Sequence, residues 1–562
     1  MSRPFAKRLP PRTAAAVATL AVLCNVSPAH ADLDLKFSGL ISSDIRYRLY
    51  GEPIPIAYPS QAQLPSHGFS RNDNDIKAKL TLSLSDKVKA VADTDLYLYG
   101  FSDLHDLDST TLRPNIDPYR IEVNAAYLDI YKVLPGLDLR VGRQVVVWGA
   151  ADQFNPTANI NTLDFSDALL FGKALANNMV RADYNPKGDW VLTAVWVPVF
   201  RPAELPRTAP VALQQLDRPA PVQEGNPRDF FYNEQINPAL APTTVNVVTQ
   251  VPDVSIQNSQ LALRLAGRVL GQDVSLSYYH GRFGIPMPAQ TVFHADRTAD
   301  VGVVWPKEDV IGGDIAGTIE RLAGLGYWIE GTVTFPEEIT YALYQDRPDG
   351  KRNEFRFDPY NDMNVLFGNV VDMMGHYVSP MGQVQDSSGV RPTVVPTTPF
   401  LKLTAGADMT LGRHVYVNAQ YVHGFVDEFG AGVAMHPLQN PANNCALPGN
   451  QVNGKGRPGC ENPRIDQRLG DYIVAGMDLK LADDVVLVRL FGVVKLPSLD
   501  DTWHLESSWK PTGVLFPQLA WTVTDGTELS VGAFLFLGDR TTKFGDPAAG
   551  ASEAFLRGKF TY

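Results

Sequence analysis

Residues 556–562 read Leu-Arg-Gly-Lys-Phe-Thr-Tyr, and they close the chain with a strict alternation of residue types. Three apolar or aromatic residues and a glycine lie at every second position, and two basic residues and a threonine lie between them. A period of two predicts a β-strand whose two faces meet different surroundings. A strand with lipid on one face and a barrel interior on the other has this pattern. The segment is therefore predicted to be the closing strand of a membrane β-barrel.

The first residues predict export from the cytoplasm. Four basic residues precede an apolar run at 13–24, and the stretch 27–31 ends in the small-residue pattern of a signal-peptide cleavage site. We predict cleavage after Ala31, so that residues 1–31 are removed and residues 32–562 form one barrel domain. The apolar run is too short to span a membrane. A lipoprotein signal that ends at the cysteine of this run is an alternative, although the leucine before that cysteine disfavours it.

The mature chain is acidic and contains no candidate transmembrane helix. Removal of four basic residues and no acidic residue changes the net charge from −12 to −16, which argues against nucleic acid as a partner. Mean hydropathy is −0.11, and no stretch of about 18 apolar residues follows the signal. A membrane protein of this composition must be a barrel, because only helices and closed barrels satisfy their backbone hydrogen bonds in lipid.

Alternating runs follow one another along the mature chain. Between Leu33 and Leu49 the apolar residues lie mainly at odd positions, and polar or charged residues lie mainly at even positions. The runs 76–84 and 88–98 alternate in the same way. Only residues 85–87 separate these two runs, which predicts a tight hairpin.

The same unit of two runs and a short turn recurs, with a long Pro-, Asn- and Asp-rich connection after each unit. Short turns are predicted near residues 85–87, 135–136, 185–189, 271–272, 323–324, 412–414, 482–484 and 525–527. Long connections are predicted at about 50–74, 102–118, 150–177, 199–254, 283–310, 336–399, 426–469, 496–511 and 539–552. The pattern predicts an all-β, antiparallel transmembrane barrel of about 18 strands, with 16 as the nearest alternative. Short turns and both termini would be periplasmic, and the long loops extracellular.

A soluble solenoid, propeller or sandwich would also show alternating strands. Three features together favour the barrel: the regular alternation of short and long connections, the secretory signal and the terminal aromatic strand. We expect a single barrel domain, because neither a plug domain before the first strand nor a peptidoglycan-binding domain after the last strand is recognisable.

Three motifs carry a family resemblance. Residues 141–149 (VGRQVVVWG) lead into 154–156 (FNP), and this pair resembles the Gly-Arg-Gln, Trp-Gly and Asn-Pro signature of the domain-of-unknown-function 1302 family of proteobacterial outer-membrane barrels. Further matches lie at 196–202, running into 205–206, and at 420–425. The resemblance implies an outer-membrane channel or transporter of unsettled substrate, sometimes linked with lipid or sterol handling. A more distant resemblance is to alginate-export porins, which also have about 18 strands and an early Gly-Arg-Gln strand.

The terminal strand itself resembles those of bacterial outer-membrane proteins, which the barrel-assembly machinery recognises. This resemblance implies the outer membrane of a Gram-negative bacterium as the location. It also implies the assembly machinery, outer-membrane lipid and lipopolysaccharide as partners, with a solute that the resemblance does not identify.

A barrel of 16 to 18 strands is wide enough for an aqueous lumen, so its function depends on inward side chains and on any loop that narrows the pore. A three-residue turn at 85–87 would set Lys79 opposite Asp93 and Lys77 opposite Asp95, with both pairs facing the lumen.

In the same way, a turn at 412–414 would set Asp408 opposite Asn418, with Gln420 on the same face. Alternation adds a further inward set: Arg46, Arg48, Arg120, Glu122, Arg140, Glu330 and Lys402. These residues could form a mixed-charge eyelet that steers polar or anionic solutes. Alternatively, they are ion pairs and hydrogen bonds that hold the wall together.

Arg143 departs from this scheme, because it lies on the apolar parity of its strand. A β-bulge at Gly142 would be needed to turn it inward, so its register stays open.

The predicted long connection 150–177 follows the signature strand and contains the apolar stretch 168–171. An apolar loop is poorly suited to lie freely in water. We predict that it either folds into the lumen as a constriction or packs onto neighbouring loops. Asn155, Asp164 and Asp167 are its candidate lining residues.

Cys445 and Cys460 are predicted to form a disulfide, because both follow the signal peptide and share one loop in an oxidising compartment. With 14 residues between them, the bridge would stabilise the protein by about 3 kcal/mol on chain-entropy grounds. No histidine lies between the cysteines, which argues against a zinc site.

We find no sequence motif for an enzyme, a cofactor or a metal site. No histidine is followed at the second position by serine, as in outer-membrane phospholipases, and no Gly-rich phosphate loop occurs. The acidic residues Asp103, Asp106 and Asp108 beside His105 lack the glycine and spacing of a calcium loop.

These patterns predict a channel or facilitated transporter for small or medium solutes. One alternative is export of lipid or another hydrophobic molecule, which an apolar inward stripe or a lateral opening would favour. Another is a surface-interaction protein that binds partners through the loops 199–254, 336–399 and 426–469.

Overall fold

The structure is a computed structural model, and it describes most of the chain. The described residues are 34–51, 66–104, 106–167, 172–186, 188–206, 244–294, 296, 298–340, 342–346, 350–355, 393–395, 397–430, 434–436, 451–452, 455–456, 464–466, 469–497, 509–539, 542–546 and 549–562. The predicted signal peptide and both cysteines of the predicted disulfide lie outside these ranges.

Within the described ranges, eighteen strands form one antiparallel sheet. The sheet closes into a barrel because the first strand pairs with both the second and the last. We number the barrel strands in chain order: β1 (Asp34–Tyr50), β2 (Gly68–Ser85), β3 (Val88–Tyr99), β4 (Tyr119–Leu134), β5 (Leu137–Gln144), β6 (Asn177–Tyr184), β7 (Val191–Val197), β8 (Gln260–Val269), β9 (Gln272–Arg282), β10 (Lys307–Ile319), β11 (Leu325–Pro336), β12 (Phe400–Leu411), β13 (Val415–His423), β14 (Asp471–Leu481), β15 (Val486–Leu496), β16 (Gly513–Thr524), β17 (Thr527–Leu537) and β18 (Ser552–Thr561).

The connections between these strands alternate in length as predicted. Eight short turns and nine long connections join the strands, and the short turns all lie at one end of the barrel. The predicted strand number of about 18 is confirmed. One turn differs in detail, because the ladder between β2 and β3 shifts beyond Ser83, so that Ser85 pairs with Val88 and the predicted three-residue turn contains two residues.

The faces of the strands differ as lipid and lumen require. In β1, Leu35 and Phe37 are more than half exposed on the outer face, whereas Arg46 and Arg48 on the inner face are almost completely buried. Such exposed apolar side chains would be costly in water but are expected where a wall faces lipid. None of the helices in the described ranges is long and apolar enough to span a membrane.

The terminal aromatic residue completes the closure. The backbone of Tyr562 exchanges two hydrogen bonds with Gly39 of β1, of 2.9 and 3.1 Å. Its ring lies 5.6 Å from the ring of Phe37, between centroids, on the outer face.

A second sheet joins three of the long connections, for which the sequence predicted no strands. Its five strands are Thr244–Thr249, Met287–Phe293, Thr298–Val304, Ala342–Asp346 and Arg352–Phe355. Two of its four pairings are parallel, between segments of different loops. We call this unit the loop sheet. It lies at the end of the barrel that carries the long connections.

Candidate functional site

The first half of the connection between β5 and β6, residues 145–167, folds into the barrel, and we call it the inserted loop. Glu330 on β11 is completely buried and holds this loop. Its carboxylate accepts hydrogen bonds from the backbone N–H groups of Ala150, Ala151 and Thr157, at 2.8–3.0 Å. The hydroxyl of Thr157 adds a bond of 2.7 Å. A buried carboxylate is costly unless such donors surround it, so Glu330 and the loop depend on each other.

Strands β12 and β13 hold the same loop. Thr404 Oγ1 donates to the carbonyl oxygen of Phe154 at 2.8 Å. Gln420 Nε2 donates to the carbonyl oxygen of Asp152 at 2.7 Å, and Asn418 Nδ2 lies 3.1 Å from the Asp152 carboxylate. Gln420 and Asn418 therefore both bind the loop, and Asn418 also lines the main cavity.

The end of the inserted loop reaches β1 and β2. Arg46 forms two hydrogen bonds of 2.6 Å to the carboxylate of Asp167. Arg71 lies 3.1 Å from the same carboxylate and donates to the carbonyl of Ser166 at 2.7 Å. Because β11–β13 and β1–β2 lie far apart in strand order, the loop crosses the lumen.

The three candidate lining residues of the loop have different places. Asp167 lines the main cavity beside the loop. Asn155 and Asp164 do not line it: Asn155 binds the carbonyl oxygen of Trp148, and buried Asp164 accepts the backbone N–H of Ser166. Their side chains stabilise the fold of the loop itself, and their role as lining residues stays a prediction.

The main cavity, of about 930 Å³, lies between the inserted loop and strands β13–β18, β1 and β2. Part of its lining is a cluster of arginines, which we call the charged wall: Arg46, Arg48, Arg71 and Arg557. Carboxylates lie close to it. Arg557 on β18, for example, lies 2.7 Å from Asp44 on β1.

An adjoining part of the lining is apolar, which alternation in the sequence did not predict. It comprises Phe491 on β15, Phe516 on β16, and Phe534 and Phe536 on β17, and we call it the aromatic wall. The rings of Phe516 and Phe534 stack with 4.5 Å between centroids. Arg489 of β15 also lines the cavity, so this part of the inward face combines aromatic rings with charge. A signal was present, because Phe516 shares its parity with the polar residue Gln518.

The predicted pairs of β2 and β3 lie in the expected register, but only one pair is in contact. Lys77 lies opposite Asp95 and Lys79 opposite Asp93. Lys77 Nζ and Asp95 Oδ2 are 2.8 Å apart. Lys79 and Asp93 form no ion pair within the described residues. None of the four lines the main cavity, so they belong to the wall.

The other predicted inward residues also have partners in the wall or the loops. Arg140 Nε lies 2.5 Å from the carboxylate of Asp129 on the neighbouring strand. Asp408 lies opposite Asn418, as predicted, and accepts a hydrogen bond of 3.0 Å from Tyr416. Lys402 donates to a loop carbonyl oxygen at 3.3 Å.

A partly buried ionic contact joins two of the long connections at the main cavity, which Asp427 and Lys543 help to line. Lys543 Nζ lies 2.7 Å from Asp427 and 3.0 Å from Glu428, and the hydroxyl of Tyr472 also donates to Glu428. Burial alone would raise the pKa of Glu428, but the charge of Lys543 and the hydrogen bonds lower it to about 2. The contact therefore stays ionised at neutral pH.

A second cavity, of about 410 Å³, lies beside residues 120–126 of β4. Its charged lining residues are Arg120, Glu122, Arg143, Arg201 and Glu204. Arg120 Nη1 lies 2.7 Å from Glu204 Oε1. Glu122 also binds Lys173, at 2.9 Å, so the two predicted inward residues here are largely paired.

Arg143 keeps the outward parity of its strand. It pairs with Ala126 and Asn178, and the ladder shows no shift at Gly142. Arg143 Nε donates to the carbonyl oxygen of Val123 on β4 at 2.5 Å. Gly142 has φ +129°, and a Cβ there would lie 2.3 Å from a β4 carbonyl oxygen, which accounts for glycine at this position.

Comparison with known proteins gives one family match. The family model described as "Protein of unknown function (DUF1302)" matches residues 119–338. This region begins with β4 and ends just beyond β11, so it contains the signature strand and the inserted loop. No curated protein matches the chain. The resemblance to alginate-export porins stays a prediction.

Several solved structures are similar to the chain at low sequence identity. OccAB1 of Acinetobacter baumannii is 7% identical, with a TM-score of 0.44 over 95% of this chain and 97% of that chain. OccAB3 of the same organism is 9% identical, with a TM-score of 0.42 over 94% and 99%. The outer membrane protein OprD of Pseudomonas aeruginosa is 9% identical, with a TM-score of 0.40 over 95% of each chain.

Proposed function

We propose that the protein is an outer-membrane channel through which small or medium solutes diffuse. The observation that carries the proposal is the main cavity, which the inserted loop confines to one side of the lumen of an 18-stranded barrel. A loop held inside a barrel by a buried carboxylate, a glutamine and two arginines is a built constriction, which sets the size of the passing solute.

The lining suggests the kind of solute. Six basic and five acidic residues line the main cavity, so its net charge is small and gives weak selection between ions. The aromatic wall adds an apolar surface beside the charged wall. This combination suits a solute with an apolar body and a polar or ionised group, which the aromatic rings and the arginines would contact separately.

The proposed location is the outer membrane of a Gram-negative bacterium. The exposed apolar side chains of the outer face support contact with lipid and lipopolysaccharide, and the aromatic terminal strand supports recognition by the barrel-assembly machinery.

Planar-bilayer recording of the purified, folded protein tests the proposal. We expect discrete conductance steps in potassium chloride. Phenylacetate should interrupt the current more often than acetate at equal concentration, because it can contact both walls. Folded protein that carries no current would contradict the channel, and equal interruption by the two acids would contradict the role of the aromatic wall.

A further inference from the structure

The barrel wall is incomplete beside the first half of β4, residues 119–125. The ladder between β4 and β5 runs from the turn up to the pair Ala126 and Arg143. Above it, residues 119–123 and 125 of β4 pair with β3 but have no strand partner on the other side in the described part of the chain. The gap arises because β5 ends at Gln144, where the chain leaves the wall to form the inserted loop.

The second cavity lies at this gap and takes residues from both faces of the wall. Arg120 and Glu122 face the lumen, whereas Ile121 and Asn178 lie on the outer face. Ile121 is 61% exposed, and its neighbour on the same face, Tyr119, is 57% exposed. The cavity is therefore a side opening of the wall, bordered outside by apolar side chains. The inserted loop and the segment 199–206 fill the barrel behind it.

Two guanidinium groups at this opening form no ion pair with the residues that the structure describes. Within the described residues, Arg143 hydrogen-bonds only the carbonyl oxygen of Val123, and Arg201 only that of Ala176. Burial and the nearby charge of Arg143 lower the pKa of Arg201. The charges of Glu122, Glu204 and Asp164 oppose this effect in part. The cavity lining still has three arginines against two glutamates, and a bound anion would offset the excess positive charge.

We infer that the side opening between β4 and β5 binds the anionic headgroup of a membrane amphiphile, with the alkyl chain against the apolar outer face of β4. The inference rests on the proposed membrane location. The volume of about 410 Å³ suits a headgroup and the first part of a chain. Arg143 and Arg201 are the headgroup ligands, which gives the arginine of the Gly-Arg-Gln motif a role outside the lumen.

A purely structural role of Arg143 is the competing explanation. An unpaired strand edge exposes carbonyl and N–H groups, and a guanidinium that caps Val123 would satisfy one of them. This explanation accounts for Arg143 at the edge of β4. Arg201 comes from a different segment, donates to the carbonyl oxygen of Ala176 and still lines the cavity, so two separate parts of the chain bring a guanidinium to the opening.

Binding of a fluorescent single-chain acid, dansyl-aminoundecanoate, to the full protein in zwitterionic nanodiscs tests the inference. We expect the acid to bind more tightly than its neutral methyl ester. Arg143→Gln and Arg201→Gln should each weaken binding of the acid roughly tenfold, as loss of a charge-assisted hydrogen bond predicts. Binding of the ester should change little. Equal affinity for acid and ester, or wild-type affinity in both variants, would overturn the inference.

A steric variant keeps the test independent of the arginines. Asn178→Trp should fill the opening and abolish binding, whereas Val531→Trp, on the outer face of β17, should not alter it. Displacement of the probe by lipid A would identify a resident lipid as the source of the headgroup, and displacement only by free alkyl carboxylates would identify a solute. Displacement by neither would overturn the site.

The two proposals can fail separately. Protein that binds the acid selectively but conducts no ions would contradict the channel alone. Protein that conducts ions but does not distinguish acid from ester would contradict the side opening alone.

Discussion

The charged wall and the aromatic wall border the same cavity, but their side chains have different partners. Arg46 and Arg71 of the charged wall bind the inserted loop through Asp167, whereas Phe516 and Phe534 contact each other and Phe555 of the barrel wall. Much of the lumen charge therefore positions the loop, and the aromatic rings stay available to a solute. A count of inward charged residues therefore overestimates the part of the lumen that is free to select solutes by charge.

The largest effect should come from Glu330→Ala, which removes the carboxylate that holds the inserted loop. Three backbone N–H groups and one hydroxyl lose their acceptor, and each unsatisfied buried group costs about 1–3 kcal/mol. We expect the loop to leave its position and single-channel conductance to increase. Glu320→Ala, in an exposed turn, is the matched control. Unchanged conductance of folded Glu330→Ala protein would show that the loop is held without Glu330.

A smaller effect is expected for Asp167→Asn, which separates the charged wall from the loop. Breaking a buried ion pair costs up to about 3–5 kcal/mol, although Arg46 keeps Asp44 at 2.9 Å. The free energy of unfolding in urea should fall, and reversal potentials should shift toward anions, because one negative charge leaves the cavity. A shift of the reversal potential toward cation selectivity would contradict the placement of the Asp167 carboxylate in the lining of the main cavity.

Phe534→Ser should alter solute binding but not the fold. Loss of an aromatic contact of about 0.5–1.5 kcal/mol predicts a roughly three- to tenfold weaker block of current by phenylacetate. Block by acetate and the conductance in potassium chloride should change little. Phe560→Ser, on the outer face, is the control, and an equal effect of both variants would argue against the aromatic wall as a contact surface.

The loop sheet contains a charged contact between partly exposed side chains, and the stability of this sheet should depend on pH. His294 lies 2.8 Å from Asp346 and 3.0 Å from Asp300. Slight burial lowers the pKa of His294, but the two carboxylates outweigh it and raise the pKa. The contact therefore stabilises the loop sheet fully below the ordinary histidine pKa, near 6.5. Its contribution is lost as pH rises through the raised value.

Hydrogen exchange of residues 298–304 measures this response. Protection should decrease as pH rises through the raised pKa, after correction for intrinsic rates, and His294→Gln should remove the dependence. If the exchange of these residues depends on pH in the same way in His294→Gln as in wild type, another group causes the dependence.

The smallest effect is expected for Lys79→Glu. The residue lies opposite Asp93 but outside the main cavity and without an ion pair in the described residues. Ion selectivity should therefore stay close to wild type, whereas the neutralisation in Asp167→Asn should change it. A clear loss of anion permeation in Lys79→Glu would place the narrowest part of the pore at β2 and β3 instead.

Periodic features of the sequence predicted the fold well, because alternation and turn length are local. Strand number, the order of short and long connections, and the pairing of Lys79 with Asp93 all follow from residues close in sequence. The aromatic wall was missed because both faces of β16 and β17 are apolar, so parity alone does not separate lumen from lipid. The loop sheet and the places of Asn155 and Asp164 depend on contacts between distant segments, which periodicity does not encode.

The pairing of Tyr562 with Gly39 has a consequence for how the protein folds. Arg557 and Asp44 are 513 positions apart and yet are neighbours across the closing seam. Contacts of such long range form late and slowly, since chain entropy must be lost before they are gained. Until the last strand is in place, the nascent sheet has two open edges, which can pair with other chains. Loss of the final residues should therefore reduce the yield of folded protein more than its stability once folded.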